Sequence, residues 1–246
     1  MGKASISFSG DERMTLNKAI LLYGGNSSFA TIHDVRTDKK NGSPILMQGE
    51  ALTHVVISEI MRGLGQSVQI GAFLPPHILS VGHNSVVWWL KPASRKVFFR
   101  CSDEEKGIGE ESAETPHPGL VFAVNESGWS VFAVKGNDRP EASTPLYLSP
   151  YFNVSSNGAI CTGTVDVPKN YSAESTFLWD KAFFDSAFSH PNVKPPQKLV
   201  DYKGGSYKFW RHMLDGKFKR FPEKVLVPVD STVEEFIKAV GRGGWL

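Results

Sequence analysis

Ser149-Pro150-Tyr151-Phe152-Asn153-Val154-Ser155-Ser156-Asn157-Gly158-Ala159-Ile160-Cys161 is the stretch around which the rest of this sequence organises itself. Asn157-Gly158 is a tight-turn signal placed just before a thiol. A chain folded back through that turn brings Asn153, eight residues ahead of Cys161, towards the sulfur. An amide N–H in that position can donate to the oxyanion formed when a thiolate attacks a thioester or acyl carbon. The loop holds no His or Asp as a general base, and exchange between thioesters of similar energy tolerates that absence. The competing reading of any single Cys is a buried, inert small hydrophobe.

Working outward, the chain has 246 residues, long for one ordinary domain and short for two. A hydrophobic fraction of 41% is enough for a real core, which excludes a disordered chain. The formal net charge of +2 is too small to argue for nucleic acid or a membrane surface. Cys101 and Cys161 are the two cysteines, with no CxxC pair. No signal-peptide pattern opens the chain, and no apolar run approaches the ~18 residues a membrane helix needs. The expectation is a cytoplasmic protein in a reducing compartment, where an unpaired Cys stays a thiol.

Upstream of the loop, residues 18–35 are strand-like on both sides of Gly24-Gly25-Asn26-Ser27-Ser28 and predict a hairpin. Residues 37–44 are a charged loop with an Asn41-Gly42 turn. Apolar spacings of three and four over 50–64 (Leu52, Val55, Val56, Ile60, Leu64) predict an amphipathic helix stopped by Gly65. Two hairpins are expected next, 85–90 with 96–100 around Pro92-Ala93-Ser94, and 120–124 with 129–134 around Asn125-Glu126-Ser127-Gly128. Together they predict a four-stranded antiparallel meander. Residues 103–114 between them carry six acids and read as a solvated loop, or as a docking site for a basic partner. Helices are predicted over 175–188, 207–214 and 231–240, the last capped by Ser231 or Thr232 with Glu234 and Glu235. Helices at the ends of an antiparallel sheet give fold class α+β.

The loop resembles the active-site loop of ubiquitin-conjugating enzymes. There a His-Pro-Asn tripeptide places its Asn eight positions before the catalytic Cys, with an Asn-Gly turn and an Ile leading into it. Asn153, Asn157-Gly158, Ile160 and Cys161 fall on those positions, while Tyr151 and Phe152 replace the His and Pro. The order helix, meander, Cys loop, helices is that family's fold. More closely, the chain resembles the protein B family of the PRTRC cassettes, a prokaryotic conjugating-enzyme-like family. The resemblance rests on Trp88-Trp89, on Pro150 to Val154, on Gly158 to Gly163 and on Ala182 to His190, and covers most of residues 18–220.

The resemblance implies a ubiquitin-conjugating-like domain over 46–246, with 1–45 as an N-terminal extension, a hairpin packed on that core. It implies Cys161 as nucleophile and Asn153 as oxyanion donor, with Tyr151, Asn157, Gly158 and His190 supporting the loop. No metal or organic cofactor is implied. The implied partners are a ThiF-like activating enzyme, a small ubiquitin-like protein and, indirectly, a JAB-type peptidase encoded by the same mobile-element cassettes.

Other features compete. His190-Pro191-Asn192 follows Cys161 by 29 residues, and reads either as a helix stop or as a His folding back beside the thiol. Cys101 runs into the acidic segment and is expected to be inert. A zinc site from Cys101, His117, Cys161 and His190 lacks ligand spacing, and a papain-like peptidase would need a Cys opening a helix. The other histidines read as structural or surface residues. Residues 194–224 mix nine Lys or Arg with aromatics, which suits a helix with aromatics packed inward or a single-stranded nucleic-acid surface. The first of these is favoured over a nucleic-acid partner. Gly243-Gly244-Trp245-Leu246 carries two residues past its diglycine and is read as coincidence. The rival functions are a non-catalytic module that binds the modifier and a nucleic-acid-associated accessory protein.

Overall fold

A computed structural model describes residues 15–24, 29–63, 73–82, 84–102, 108–163 and 165–246. It is α+β, and packing divides the chain between residues 72 and 73. Among the described residues no helix is long and apolar enough to cross a membrane.

The N-terminal unit holds strands β1 (Lys18–Tyr23), β2 (Phe29–Thr37) and β3 (Pro44–Ala51), antiparallel in that order, and helix α1 (His54–Gly63). The hairpin read from the sequence is β1–β2, with Lys18 opposite Asp34 and Tyr23 opposite Phe29. Its turn residues 25–28 lie outside the described residues. The helix read from residue 50 begins four residues later. Glu50 and Ala51 pair with Ile32 and Thr31 as the end of a third strand, which starts where the charged loop ends and was not read from the sequence. The apolar run Ile45-Leu46-Met47 favours that strand, and Thr53, whose carbonyl accepts from the Ile57 N–H, opens the helix instead.

In the second unit six strands form one antiparallel sheet in the order β12-β10-β9-β8-β5-β4. They are β4 (Ile78–Gly82), β5 (Ser85–Leu90), β8 (Gly119–Asn125), β9 (Gly128–Val134), β10 (Pro145–Leu148) and β12 (Pro228–Thr232). Strands β6 (Ala93–Arg100), β7 (Glu110–His117) and β11 (Ala187–Phe188) form a second sheet. The first predicted hairpin is therefore corrected. Residues 85–90 do not pair with 96–100, because Leu90 pairs with Leu120 and Ala93 with His117.

The β6–β7 hairpin is an excursion that leaves the main sheet at Lys91-Pro92 and re-enters at Pro118. Each proline lacks the N–H that a continuing ladder would use. The acidic segment is corrected with it. Glu110 to Glu114 belong to β7, where Glu110 faces Arg100, Glu114 faces Lys96 and Glu111 bonds Arg211. Composition alone pointed to a loop, whereas opposite charges across a strand pair stabilise it. Residues 103–107 lie outside the described residues.

Burial on both faces explains the near-continuous apolar run of β8. Leu120, Phe122 and Val124 face α2 (Thr176–Phe184), α3 (Gly205–Leu214) and the Cys161 loop through one core. Val121, Ala123 and Phe132 face α4 (Val233–Gly241), whose Val233, Phe236 and Val240 close the other core. The capping signature read before α4 holds: the Thr232 side chain accepts from the Glu235 N–H, and the Glu235 carboxylate accepts from the Thr232 N–H. The helix predicted over 175–188 ends at Phe184, and Ala187–Phe188 pairs parallel with Phe98–Phe99 instead. In the basic C-terminal stretch Phe209, Trp210 and Phe221 are buried, so its aromatics pack inward.

Candidate functional site: a thiol loop clamped to a crossing strand

Tyr151 and Phe152 anchor the base of the loop. Both are fully buried, Tyr151 against Phe183, Phe188 and Trp210, and Phe152 against Phe99 and Tyr207. The Trp210 indole N–H donates to the Pro150 carbonyl at 2.7 Å, tying α3 to the start of the loop. Aromatic packing of this kind fixes a backbone direction without any polar partner, and the Tyr151 hydroxyl has none among the described residues.

Beyond that anchor the chain turns. The Gly158 N–H donates to the Ser155 carbonyl and the Ser155 N–H to the Ala159 carbonyl, both at 2.9 Å, closing the turn that the Asn157-Gly158 signal predicts. The Asn157 carboxamide oxygen accepts from the Ala159 N–H. The turn docks on β9 through the Val131 N–H to the Gly158 carbonyl and the Ile160 N–H to the Trp129 carbonyl. Gly158 has φ +81°, and a Cβ there would come within 2.6 Å of the Phe132 ring. Gly158→Ala is therefore expected to cost about 2–4 kcal/mol from backbone strain and overpacking. A urea-denaturation midpoint unchanged from the parent protein would refute that account.

The loop returns antiparallel to itself, with Val154 bridged to Ile160 and the Cys161 N–H donating to the Asn153 carbonyl at 2.8 Å. Cys161 is exposed, unlike Cys101, which is buried with its Sγ 3.9 Å from the Phe188 carbonyl. Fold-back thus places Asn153 directly opposite the thiol residue. The carboxamide of Asn153 reaches towards the strand that follows α2. Its Nδ2 donates to the Ala187 carbonyl at 2.8 Å, and its Oδ1 accepts from the Ser189 N–H and Oγ–H at 3.1 and 2.8 Å. Its own N–H donates to the His190 carbonyl at 2.9 Å. Asn153 has φ +62°, a left-handed conformation that Asn tolerates better than most residues.

His190 is consequently not a helix stop, since α2 ends at Phe184 and the 187–190 segment lies beside the loop. The Ser189 Oγ stands between Asn153 Oδ1 and His190 Nδ1, 2.9 Å from the latter. Asn153 Oδ1 is acceptor-only, so the hydroxyl must donate to it. That leaves His190 Nδ1 as a donor to the serine oxygen. Ser189 carried no role in the sequence reading. Its signal was present only as the residue before His190, and its use depends on a strand crossing that local pattern does not encode.

Elsewhere, His117 is buried between Tyr151 and Phe184, with Nε2 on the Arg95 carbonyl at 3.2 Å and its Nδ1 without a partner among the described residues. Burial pushes its pKa down to about 3. Among the described residues no three His, Cys, Asp or Glu side chains come together as a metal cluster.

The site is thus an exposed thiol in a fold-back loop, clamped by an amide to a crossing strand. The comparison with protein families adds its class. Residues 56–229 match prokaryotic E2 family D, and the chain belongs to that family. No curated protein and no solved structure matches it. Membership points to a role in a ubiquitin-like pathway, in keeping with the resemblance to prokaryotic conjugating-enzyme-like proteins.

Proposed function

We propose that this protein is a conjugating enzyme of a bacterial ubiquitin-like pathway, resident in the cytoplasm and belonging to a PRTRC-type cassette. The observation that carries the reading is Cys161 itself, exposed and hydrogen-bonded through its N–H to the Asn153 carbonyl. The fold is a ubiquitin-conjugating one in which β4-β5-β8-β9 supply the meander and the β6–β7 hairpin is inserted within it. This reading keeps the strand order of that fold and places the Cys loop after it.

In the reaction, the Cys161 thiolate attacks the thioester carbon that joins the modifier's C-terminal acyl group to a ThiF-like activating enzyme. A C–S bond to Cys161 forms, and the activating enzyme's sulfur leaves as a thiolate. An amine nitrogen then attacks the same carbon, expelling Cys161 and losing its proton to solvent or to His190 Nε2. One Asn153 Nδ2 hydrogen is committed to the Ala187 carbonyl, and the second is the donor for the tetrahedral oxyanion. ATP is consumed by the activating enzyme, and no cofactor is assigned here.

The protein is incubated with an activating enzyme and modifier from the same gene neighbourhood, plus ATP, and run on a non-reducing gel. A thiol-sensitive adduct absent in Cys161→Ala, and converted to a thiol-resistant oxyester in Cys161→Ser, is the expected result. With partners that demonstrably charge each other, no adduct on this chain would leave only a non-catalytic binding module.

A further inference from the structure

A cavity of about 670 Å³, within the size range of small-ligand sites, opens where the β6–β7 excursion leaves and re-enters the main sheet. Pro92 and Pro118, which mark the two crossings, are in its wall together with Pro116. Phe221, 9% exposed, adds an aromatic ring. Gly136 and Asn137, just past the end of β9, line another side. The Cys161 loop docks on Trp129 and Val131, near the start of that strand. Roughly 15 Å of extended chain therefore separates Gly136 from the docked loop. The cavity belongs neither to the thiol loop nor to its clamp.

Its free charge is of one sign. Lys219 and Arg220 are exposed and line the cavity, and neither side chain has a hydrogen-bond or ion-pair partner among the described residues. Arg211, by contrast, is held between Glu111 and Asp215. Glu223 is the acid among the described lining residues, and its Oε1 already accepts from the Gly136 N–H at 2.8 Å. His117, 2% exposed, is in the wall as well. Its Nε2 donates to the Arg95 carbonyl, which leaves Nδ1 a lone pair without a donor among the described residues. A guanidinium fork beside an ammonium matches a phosphate group, which takes paired N–H bonds from the one and a point charge from the other. A phosphate monoester carries about −1.5 to −2 charges near pH 7, enough for both cations, where a carboxylate leaves one of them unmatched. The proline and phenylalanine rings offer no polar atom and suit a flat, weakly polar body.

We propose that this cavity binds a small phosphate monoester carrying a flat ring, of the nucleoside monophosphate class. The phosphate sits at Lys219 and Arg220, and the ring lies against the prolines and Phe221. A ligand N–H or O–H is the donor that the His117 lone pair lacks. This site is separate from Cys161 and does not depend on the conjugating reading.

The test titrates the full chain with AMP, adenosine and inorganic phosphate, by calorimetry and by backbone amide signals. AMP is expected to bind with a Kd below about 1 mM, and at least about tenfold more tightly than adenosine or phosphate, each of which fills one half of the site. The amide signals of Gly136, Asn137 and Phe221 should move saturably, while those of Gly158 and Cys161 stay in place. Lys219→Gln and Arg220→Gln, exposed changes that leave the core alone, should each weaken AMP about tenfold and leave adenosine unaffected. No binding at millimolar AMP, AMP no tighter than phosphate or adenosine, or parent-like AMP affinity in both variants would each overturn the proposal. Amide shifts confined to the Cys161 loop would overturn it too, since AMP would then lie elsewhere. Charging of Cys161 on the gel is a separate readout, so the conjugating reading stands or falls apart from these results.

Discussion

Asn153→Ala is expected to lose about 2–4 kcal/mol of stability and to slow discharge of a preformed Cys161 thioester by at least ~10²-fold. Both parts follow from where the carboxamide goes. Removing it strips the Ala187 carbonyl and the Ser189 N–H of partners in a part-buried position. Alanine must also hold φ +62°, which costs a β-carbon-bearing residue roughly 1–2 kcal/mol. Asn153→Gly removes that strain and keeps the lost hydrogen bonds lost, so its stability should exceed alanine's by about 1 kcal/mol.

Asn153→Asp separates clamp from catalyst. The carboxylate still accepts from Ser189 and still tolerates positive φ, but it has no N–H for an oxyanion and presents negative charge where charge develops. Its thermal midpoint should therefore fall less than alanine's, while discharge to free lysine in a single turnover falls at least as far. If Asp discharges within a few-fold of the parent protein, Asn153 is a clamp alone, and the oxyanion assignment is wrong.

How much of this was legible beforehand differs by element. The Asn157-Gly158 turn, the β1–β2 hairpin and the α4 capping box were readable because each is decided within a few residues. The β6–β7 excursion was not. Pro92 looked like the centre of a tight turn, yet it marks where one strand leaves the sheet, and only the distant pairing of Leu90 with Leu120 distinguishes the two. Glu110 to Glu114 misled for a related reason: acids are a loop signal until Lys96, Arg100 and Arg211 stand opposite them. At the site, the spacing of eight located Asn153 and Cys161 on facing backbone. It could not say that the carboxamide would be held by residues 187–189, since that segment reads as helix by composition and becomes strand through pairing with β6.

Buried His117 and half-buried Asp180 predict an acid profile that single substitutions should split. Neutral His117 donates from Nε2 to the Arg95 carbonyl, and burial disfavours a second proton, so its pKa falls to about 3 from an ordinary 6.5. Below pH 6.5 the unfolded chain takes up a proton that the folded one refuses. Stability then falls as pH is lowered, by about 2 kcal/mol at pH 5. Asp180 acts with the opposite sign. Burial raises its pKa to about 6 from 3.8, despite the Trp88 N–H on its Oδ1 at 2.8 Å and the nearby Arg95 charge. Between pH 6 and 3.8 the folded state binds the extra proton, and stability rises on acidification by roughly 2–3 kcal/mol in total.

In the parent protein the two contributions largely offset each other between pH 6 and 4. His117→Phe keeps a ring between Tyr151 and Phe184 and leaves Asp180 unopposed, so its stability relative to its own pH 7 value should climb towards pH 4. Asp180→Asn retains an acceptor for Trp88 and leaves His117 unopposed. Its stability at neutral pH should rise, then fall by about 1.4 kcal/mol per pH unit below 6. Urea midpoints at pH 7, 6, 5 and 4 read both, and differences from the parent protein remove the carboxylates common to all three. Parallel profiles for the three proteins would mean that neither burial shift operates in the folded chain.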